Sequence, residues 1–165
     1  MGWLDRFPGR KPAGDPQALA TLSLGDEVHA LGERWEVTAL LSYRDGSSEW
    51  PVIRIERGGI TAWLALEDDR IVRYDHIDLA VGADGRAAWN GRVYTRAEMG
   101  NATVSRVAGP VDVAVGDTLS YQVLRSEADP RGWLSVEAWP SGFVDVSVGR
   151  FWPVDRFVSR KADAP

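Results

Sequence analysis

The sequence IRIERGGITAWLALE, residues 53–67, gives the clearest secondary-structure signal in the chain. Residues alternate in type on both sides of a Gly58-Gly59 pair. In the first segment Ile53 and Ile55 share one face, and the charged Arg54 lies between them on the other. A period of two is typical of a half-buried β-strand, and paired glycines permit the left-handed backbone of a tight hairpin turn. The segment therefore predicts two antiparallel strands joined by a short turn.

The same pattern continues in both directions along the chain. Asn90-Gly91 is a strong hairpin signal, Pro140-Ser141-Gly142 predicts another reversal, and turn residues recur at intervals of roughly ten positions. Asp15 followed by Pro16 predicts one short helix, because proline suits the first helical turn and aspartate accepts hydrogen bonds from its free N–H groups. We therefore predict an all-β fold with at most one or two short helices. It would be an antiparallel β-sandwich or a partly open barrel around a dry aliphatic centre.

Two parts of the sequence resemble one another. Residues 53–75 and 134–155 each contain two alternating segments around a glycine turn, and each ends in the pattern Arg-apolar-x-x-apolar-Asp. An internal repeat of this kind predicts a fold made of two similar β-rich halves, at about 22–80 and 81–158. Chance alternation in an all-β chain explains the similarity equally well, so whether the two halves share one core stays open at this point.

The composition indicates one folded domain with short irregular ends. Prolines and glycines predict a flexible leader over residues 1–21, which would include the short helix; residues 22–158 form the β-rich domain and residues 159–165 a tail. The first residues lack the apolar run of a secretory signal, and no stretch approaches the roughly 18 apolar residues of a membrane-spanning helix. We therefore expect a cytoplasmic protein without a transmembrane segment.

Composition and motifs exclude or disfavour several classes of function. The chain has no cysteine, which excludes disulfides and thiolate metal sites, and its net charge of -5 disfavours nucleic-acid binding. His29 and His76 lack the spacing of a metal motif, and no nucleophile elbow or phosphate-binding loop occurs. We expect no catalytic residues, no metal and no cofactor. An enzyme would require His29 or His76 to meet acidic groups such as Asp26 or Glu137.

Tryptophan is the most suggestive residue type, since the chain contains eight. Large aromatic side chains either fill a core or stack on ligands. We expect Trp35 and Trp50, at strand starts, to pack in the core. The candidate ligand-binding residues are Trp63, Trp139 and Trp152. Trp63 would lie on the opposite face of its strand from its aliphatic neighbours, and Trp139 and Trp152 adjoin prolines. If these three line one groove, their faces would suit a polyamine, a saccharide or a partner peptide.

Short motifs along the chain resemble a known family. They are Leu24-Gly25-Asp26, Gly32-x-x-Trp35-x-Val37, Trp50, Trp63-Leu64, Trp89-Asn90-Gly91-Arg92-Val93-Tyr94, Glu98-x-Gly100-x-Ala102, and Leu134-Ser135-Val136-Glu137 continuing to Gly149. Together they resemble the bacterial domain of unknown function family 4178. The resemblance covers residues 22–154 of the chain.

The resemblance implies a β-rich bacterial module that occurs beside membrane-stress components of the phage-shock type, small membrane proteins and polyamine-synthase-like enzymes. It implies no activity and no catalytic residues. Some family members look as if a cysteine-pair zinc ribbon precedes the domain, and this chain, having no cysteine, lacks it.

Two functions follow as predictions. The first is a non-enzymatic interaction module that docks on a protein partner, such as a membrane-associated stress component, through exposed edge strands. It would act in the cytoplasm or peripherally at the inner membrane. The alternative is a small-ligand binding domain that takes a polyamine or a saccharide in an aromatic groove.

Overall fold

The structure, a computed structural model, describes residues 14–160. This part of the chain contains one 3₁₀ helix, Pro16–Thr21, and eleven β-strands. The strands are β1 (Glu27–Ala30), β2 (Glu33–Asp45), β3 (Ser48–Arg57), β4 (Ile60–Glu67), β5 (Arg70–His76), β6 (Arg86–Trp89), β7 (Arg92–Ala108), β8 (Thr118–Ser126), β9 (Asp129–Ala138), β10 (Val144–Phe151) and β11 (Val154–Val158). The prediction of an all-β fold with a short helix is confirmed.

Eight of the strands close into an antiparallel barrel. They are hydrogen-bonded in the order β2-β3-β4-β5-β10-β9-β8-β7, and β7 pairs with β2 to complete the ring. Strands β1 and β11 extend the sheet beside β2, and β6 pairs with β7. The predicted sandwich is therefore wrong, and the barrel is closed rather than partly open.

The barrel closes because β2 changes its neighbour along one edge. Residues 33–36 pair with β1, whereas residues 40–44 pair with β7. A register shift between Val37 and Ala39 marks a β-bulge between these two groups. A bulge bends a strand and increases its twist, so β2 can leave one partner and join another.

Each half of the sequence contributes one four-stranded meander to the single barrel. Strands β2 to β5 and β7 to β10 meet at the β5–β10 and β2–β7 pairs. A short strand precedes each meander, β1 before β2 and β6 before β7. A two-residue turn joins each short strand to its meander, Leu31-Gly32 in the first half and Asn90-Gly91 in the second, and φ is positive at both positions of each turn. By this topology β3 to β5 correspond to β8 to β10. The predicted repeat instead matched β3 to β5 with β9 to β11, which is one strand too far along the chain. Alternating apolar and polar residues occur in every strand, so they could not identify the corresponding one.

Aliphatic side chains form two clusters on the outer face of the barrel wall. In the first, residues of β2 to β5 pack against the 3₁₀ helix, β1 and β11; in the second, residues of β8 to β10 are covered by β6 and residues 77–81. The opposite faces of these strands line a space that all eight barrel strands share. A third cluster lies inside the barrel, where Leu41, Val104 and Leu119 are buried and Trp50 and Trp139 pack against them. The expected aliphatic centre is therefore present only in part, because carboxylates share the inner face with these apolar side chains.

The 3₁₀ helix begins where the sequence predicted a helix. The Asp15 carboxylate accepts a hydrogen bond from the Gln17 backbone N–H at 3.0 Å, and Leu19 is fully buried in the first aliphatic cluster. Residues 1–13 of the predicted leader and 161–165 of the predicted tail lie outside the described residues. Within residues 14–160, no helix has the length and apolar character needed to cross a membrane.

Candidate ligand-binding site in the barrel

A cavity of about 1210 Å³ runs inside the barrel. All eight barrel strands contribute to its lining, together with the β7–β8 loop, residues 109–117, and the β9–β10 loop, residues 139–143. Alternate residues of each strand point inward, because successive side chains face opposite sides of a sheet. We call this space the barrel cavity.

Negative charge dominates the barrel cavity. Its lining contains seven carboxylates and one guanidinium, that of Arg54; the carboxylates are those of Asp45, Glu67, Glu98, Asp112, Asp117, Glu137 and Asp145. The guanidinium already has partners, since Arg54 Nε donates to Thr38 Oγ1 at 3.0 Å and its charge lies 5.9 Å from the centre of the Trp63 ring. Within residues 14–160, one of the seven carboxylates has an ion-pair partner, Asp145 with His76 at 2.6 Å. The cavity therefore attracts cations.

Glu137 is the carboxylate of the barrel cavity with the largest resolved rise in pKa. It lies partly buried on the inner face of β9, and the Tyr43 hydroxyl donates a hydrogen bond to its Oε2 at 3.3 Å. Asp145 stands directly opposite on β10. Burial, and secondly the negative charge of Asp145, raises the pKa of Glu137 to about 7. At neutral pH the side chain is poised between its protonated and ionised forms, and a neighbouring cation would favour the ionised form.

A second carboxylate, Glu67, lies at the end of β4. Burial raises its pKa, and the Tyr74 hydroxyl donates to its Oε1 at 3.3 Å. Trp133 Nε1–H donates in turn to the Tyr74 oxygen at 3.1 Å. Gly149 makes room for this arrangement, because a Cβ at position 149 would lie 2.6 Å from Tyr74 Cε1. A fixed tyrosine–tryptophan pair thus holds Glu67 in place.

Four aromatic rings of the lining meet edge to face. The Tyr43 ring centre lies 6.0 Å from that of Trp50 and 6.4 Å from that of Trp139, and Trp50 lies 6.0 Å from Tyr121. The corresponding interplanar angles are 87°, 65° and 81°. Tyr121 also donates through its hydroxyl to Asp45 Oδ2 at 2.8 Å. We call Tyr43, Trp50, Tyr121 and Trp139 the four-ring cluster.

The structure separates the three tryptophans that the sequence grouped as ligand-binding residues. Trp63 and Trp139 line the barrel cavity. Trp152 lies outside the barrel wall in the first aliphatic cluster, where its ring centre is 5.9 Å from that of Trp35 and 5.3 Å from the Arg73 guanidinium carbon. The chain leaves the barrel after β10 to reach β11, and this path carries Trp152 onto the outer face.

Both histidines have carboxylate partners. His29 Nε2 lies 2.8 Å from Glu27 Oε2 on β1, and His76 Nδ1 lies 2.6 Å from Asp145 Oδ1. Ser147 Oγ donates to the other carboxylate oxygen of Asp145 at 3.3 Å. A serine nucleophile needs the histidine between itself and the carboxylate, so this order differs from a Ser-His-Asp triad. In the part of the chain that the structure describes, no three metal-ligating side chains are grouped to hold an ion.

Sequence reasoning missed Glu137 as a candidate binding residue, together with Tyr43 and Tyr121. A signal for Glu137 was present on β9, where residues 133, 135, 137 and 139 are Trp, Ser, Glu and Trp, whereas residues 134, 136 and 138 are Leu, Val and Ala. Two faces of such different character indicate two different buried environments. Tyr43 carries no comparable signal, because the consecutive apolar residues Ala39, Leu40 and Leu41 interrupt the alternation of β2 before it.

Comparison with known proteins agrees with the family resemblance. Residues 23–153 match the family described as "Domain of unknown function (DUF4178)". No curated protein and no solved structure matches the chain. The matched residues extend from before β1 to the end of β10, and so include every strand that lines the barrel cavity. Because the match covers well over half of the sequence, this chain belongs to the DUF4178 family of domains of unknown function.

Proposed function

We propose that this protein is a non-enzymatic binding domain whose barrel cavity holds a small organic cation. The observation that carries the proposal is the Glu137–Asp145 pair, two facing carboxylates of the barrel cavity whose one ion-pair partner within residues 14–160 is His76. Bringing like charges together in a poorly solvated site is costly unless an opposite charge joins them. An ammonium group beside the pair supplies that opposite charge.

Polyamines suit this cavity better than saccharides. A linear polyamine carries several ammonium groups, and the cavity offers carboxylates in more than one place, at Glu137 and Asp145 and again at Glu67. The Trp139 ring can contact methylene groups and cations in the same space, whereas the Trp63 ring already lies beneath the Arg54 guanidinium. A neutral saccharide would stack on the same rings but would leave the carboxylate charge uncompensated.

Titration of the full-length protein with spermidine, putrescine and a panel of neutral oligosaccharides tests the proposal, with tryptophan fluorescence and calorimetry as readouts. We expect saturable amine binding that weakens about tenfold or more in Glu137→Gln, because a hydrogen bond to a charged group contributes roughly 1.5–3 kcal/mol. Glu127→Gln is the matched control, since Glu127 is exposed in the β8–β9 turn. No saturable amine binding, equal weakening in both variants, or tighter binding of a saccharide would each overturn the proposal.

The proposal includes no catalytic step. Ser147 Oγ donates to Asp145 rather than to His76, so no histidine is placed to take the serine proton. Incubation of the protein with spermidine, followed by mass spectrometry, is expected to return spermidine unchanged. A cleaved or otherwise altered amine would indicate an enzyme instead.

A protein partner is the second candidate, favoured by exposed apolar side chains beside the barrel cavity. Phe143, in the β9–β10 loop, is 60% exposed and Val144, the first residue of β10, is 50% exposed; Val115, in the β7–β8 loop, is 63% exposed. Strand addition has less support, because closure of the barrel leaves the short strands β6 and β11 at the ends of the strand order. A membrane-associated stress component, in the cytoplasm or at the inner membrane, remains the predicted kind of partner.

Photo-crosslinking in the source organism tests this second candidate. A photoreactive residue at position 143 is expected to capture one defined protein, and the same residue at position 127, in the exposed β8–β9 turn, is expected to capture none. Recovery of uncrosslinked protein from both positions would count against a partner at these loops.

A further inference from the structure

The four-ring cluster places in one part of the barrel the kind of side chains that form aromatic cages. Trp139, Tyr43, Trp50 and Tyr121 follow one another with ring centres 6.0 to 6.4 Å apart, and each ring is steeply inclined to the next, at 65° to 87°. In each contact the edge of one ring packs against the face of its neighbour, so the covered ring keeps only its other face for a ligand, whereas parallel stacking would cover a face of both rings. All four side chains line the barrel cavity. The cluster therefore offers aromatic surface to the same space from several sides.

Aromatic faces attract cations, and aromatic cages are a general solution for binding quaternary ammonium groups. A primary ammonium has three N–H donors, each of which needs an acceptor when water is removed. A trimethylammonium group has none, so ring faces and a nearby negative charge satisfy it.

The carboxylates nearest the cluster are placed to attract a charge without occupying the ring faces. Glu137 accepts from the Tyr43 hydroxyl at 3.3 Å, and Asp45 accepts from the Tyr121 hydroxyl at 2.8 Å. A phenol O–H lies in the plane of its ring, so each carboxylate stands at a ring edge rather than over a face. The cluster thus combines apolar walls with two carboxylates at its margin.

We propose that the four-ring cluster selects an N-methylated ammonium group over a primary ammonium carried on the same alkyl chain. This inference rests on the proposed function, because both place an organic cation in the barrel cavity. It adds the chemical identity of the head group and the four side chains that recognise it.

The test uses probes that differ at the nitrogen alone, butyltrimethylammonium and butylammonium, titrated into the full-length protein. Tryptophan fluorescence and indole N–H shifts in NMR spectra report binding. We expect the trimethyl probe to bind about tenfold more tightly or better, since each desolvated cation–ring contact contributes on the order of 1 kcal/mol. A neutral analogue with a tert-butyl group in place of trimethylammonium is expected to bind less tightly than the trimethyl probe.

Four variants assign the preference to the cluster. Trp139→Leu and Trp50→Leu each remove one wall and are expected to bring the two cations within about threefold of each other, while Tyr43→Phe keeps its ring and is expected to keep the preference. Trp89→Leu is the matched control, because Trp89 packs in the second aliphatic cluster outside the barrel wall. Circular dichroism checks that each variant is folded. If Trp50→Leu does not fold, the comparison uses Trp139→Leu, because Trp139 lies after the end of β9 rather than within a strand.

The possible results separate this inference from the proposed function. Equal or tighter binding of butylammonium overturns the cage but leaves a cation site in the barrel. Failure of both cations to bind overturns both proposals. A trimethyl preference that survives Trp50→Leu and Trp139→Leu also overturns the assignment, because the head group then binds elsewhere.

Discussion

Replacing Glu137 with glutamine is predicted to make the protein more stable at alkaline pH. Burial and the charge of Asp145 raise the pKa of Glu137 from 4.5 to about 7. An acid whose pKa is raised by folding holds its proton more tightly in the folded state. Its contribution to stability is therefore fully present below pH 4.5 and is lost as the pH rises through 7. Glutamine does not titrate and can still accept the Tyr43 hydrogen bond.

The size of the effect follows from the pKa shift. One pKa unit corresponds to about 1.4 kcal/mol, so the shift sets an upper value of about 3 kcal/mol for the stability lost between pH 4.5 and 8. Partial exposure of Glu137 to water reduces this to about 1–3 kcal/mol. With a urea dependence of about 2 kcal/mol per molar, the unfolding midpoint of Glu137→Gln should exceed that of the wild type by roughly 0.5–1.5 M at pH 8.

The assay is urea unfolding followed by tryptophan fluorescence at several pH values between 4.5 and 8. The difference between variant and wild type isolates Glu137, because other shifted groups titrate in both proteins. His76, whose pKa is raised by its hydrogen bond to Asp145, also loses its contribution as the pH rises, whereas Glu27, whose pKa is lowered by His29, loses its contribution as the pH falls. A difference that stays constant with pH would refute the reasoning.

Three further predictions concern binding and packing. Amine affinity is expected to rise by up to about tenfold per pH unit between pH 5 and 7, because the ligand requires ionised Glu137; calorimetry measures this, and a flat profile would contradict it. Gly149→Ala is expected to destabilise by about 1–3 kcal/mol in thermal unfolding, since the new Cβ would lie 2.6 Å from the Tyr74 ring, and a neutral effect would show that this ring moves freely. Leu134→Ala, at a fully buried position, should lower the free energy of unfolding by about 2–5 kcal/mol, and Trp139→Leu, at a partly buried position, should lower it by less. The reverse order in urea unfolding would mean that the cavity side chains are the main core.

Local features of the fold were predictable from the sequence, and its closure was not. The hairpin over residues 53–67 forms as expected, because alternation and a glycine turn are properties of neighbouring residues. The β2–β7 pairing that closes the barrel joins Leu40 to Ala108 and depends on a bulge near Val37. Nothing in the local pattern of either strand specifies a partner so distant along the chain.

The candidate site was predictable in part for a related reason. The alternation of residues along β4 placed Trp63 on the opposite face from the aliphatic residues beside it, and Trp63 does line the barrel cavity. Parity assigns a residue to a face, however, and in this barrel both faces are buried. It could not distinguish the cavity of Trp63 and Trp139 from the outer cluster that holds Trp152. The partners of Glu137, which decide its charge state, come from strands that only the closed barrel brings together.

The two outer aliphatic clusters explain how the barrel can keep a charged cavity. Small barrels usually fill their interior with side chains, which then provide the cohesion of the fold. Here outward-facing residues such as Ile55, Leu64 and Leu134 are fully buried beneath other elements, so the clusters outside the wall add to the cohesion of the smaller cluster inside it. Part of the inner face can therefore carry carboxylates, and the raised pKa of Glu137 reflects the free-energy cost of ionising that side chain there. Carboxylates that lower stability when no opposite charge is near them are what the proposed cation binding would require.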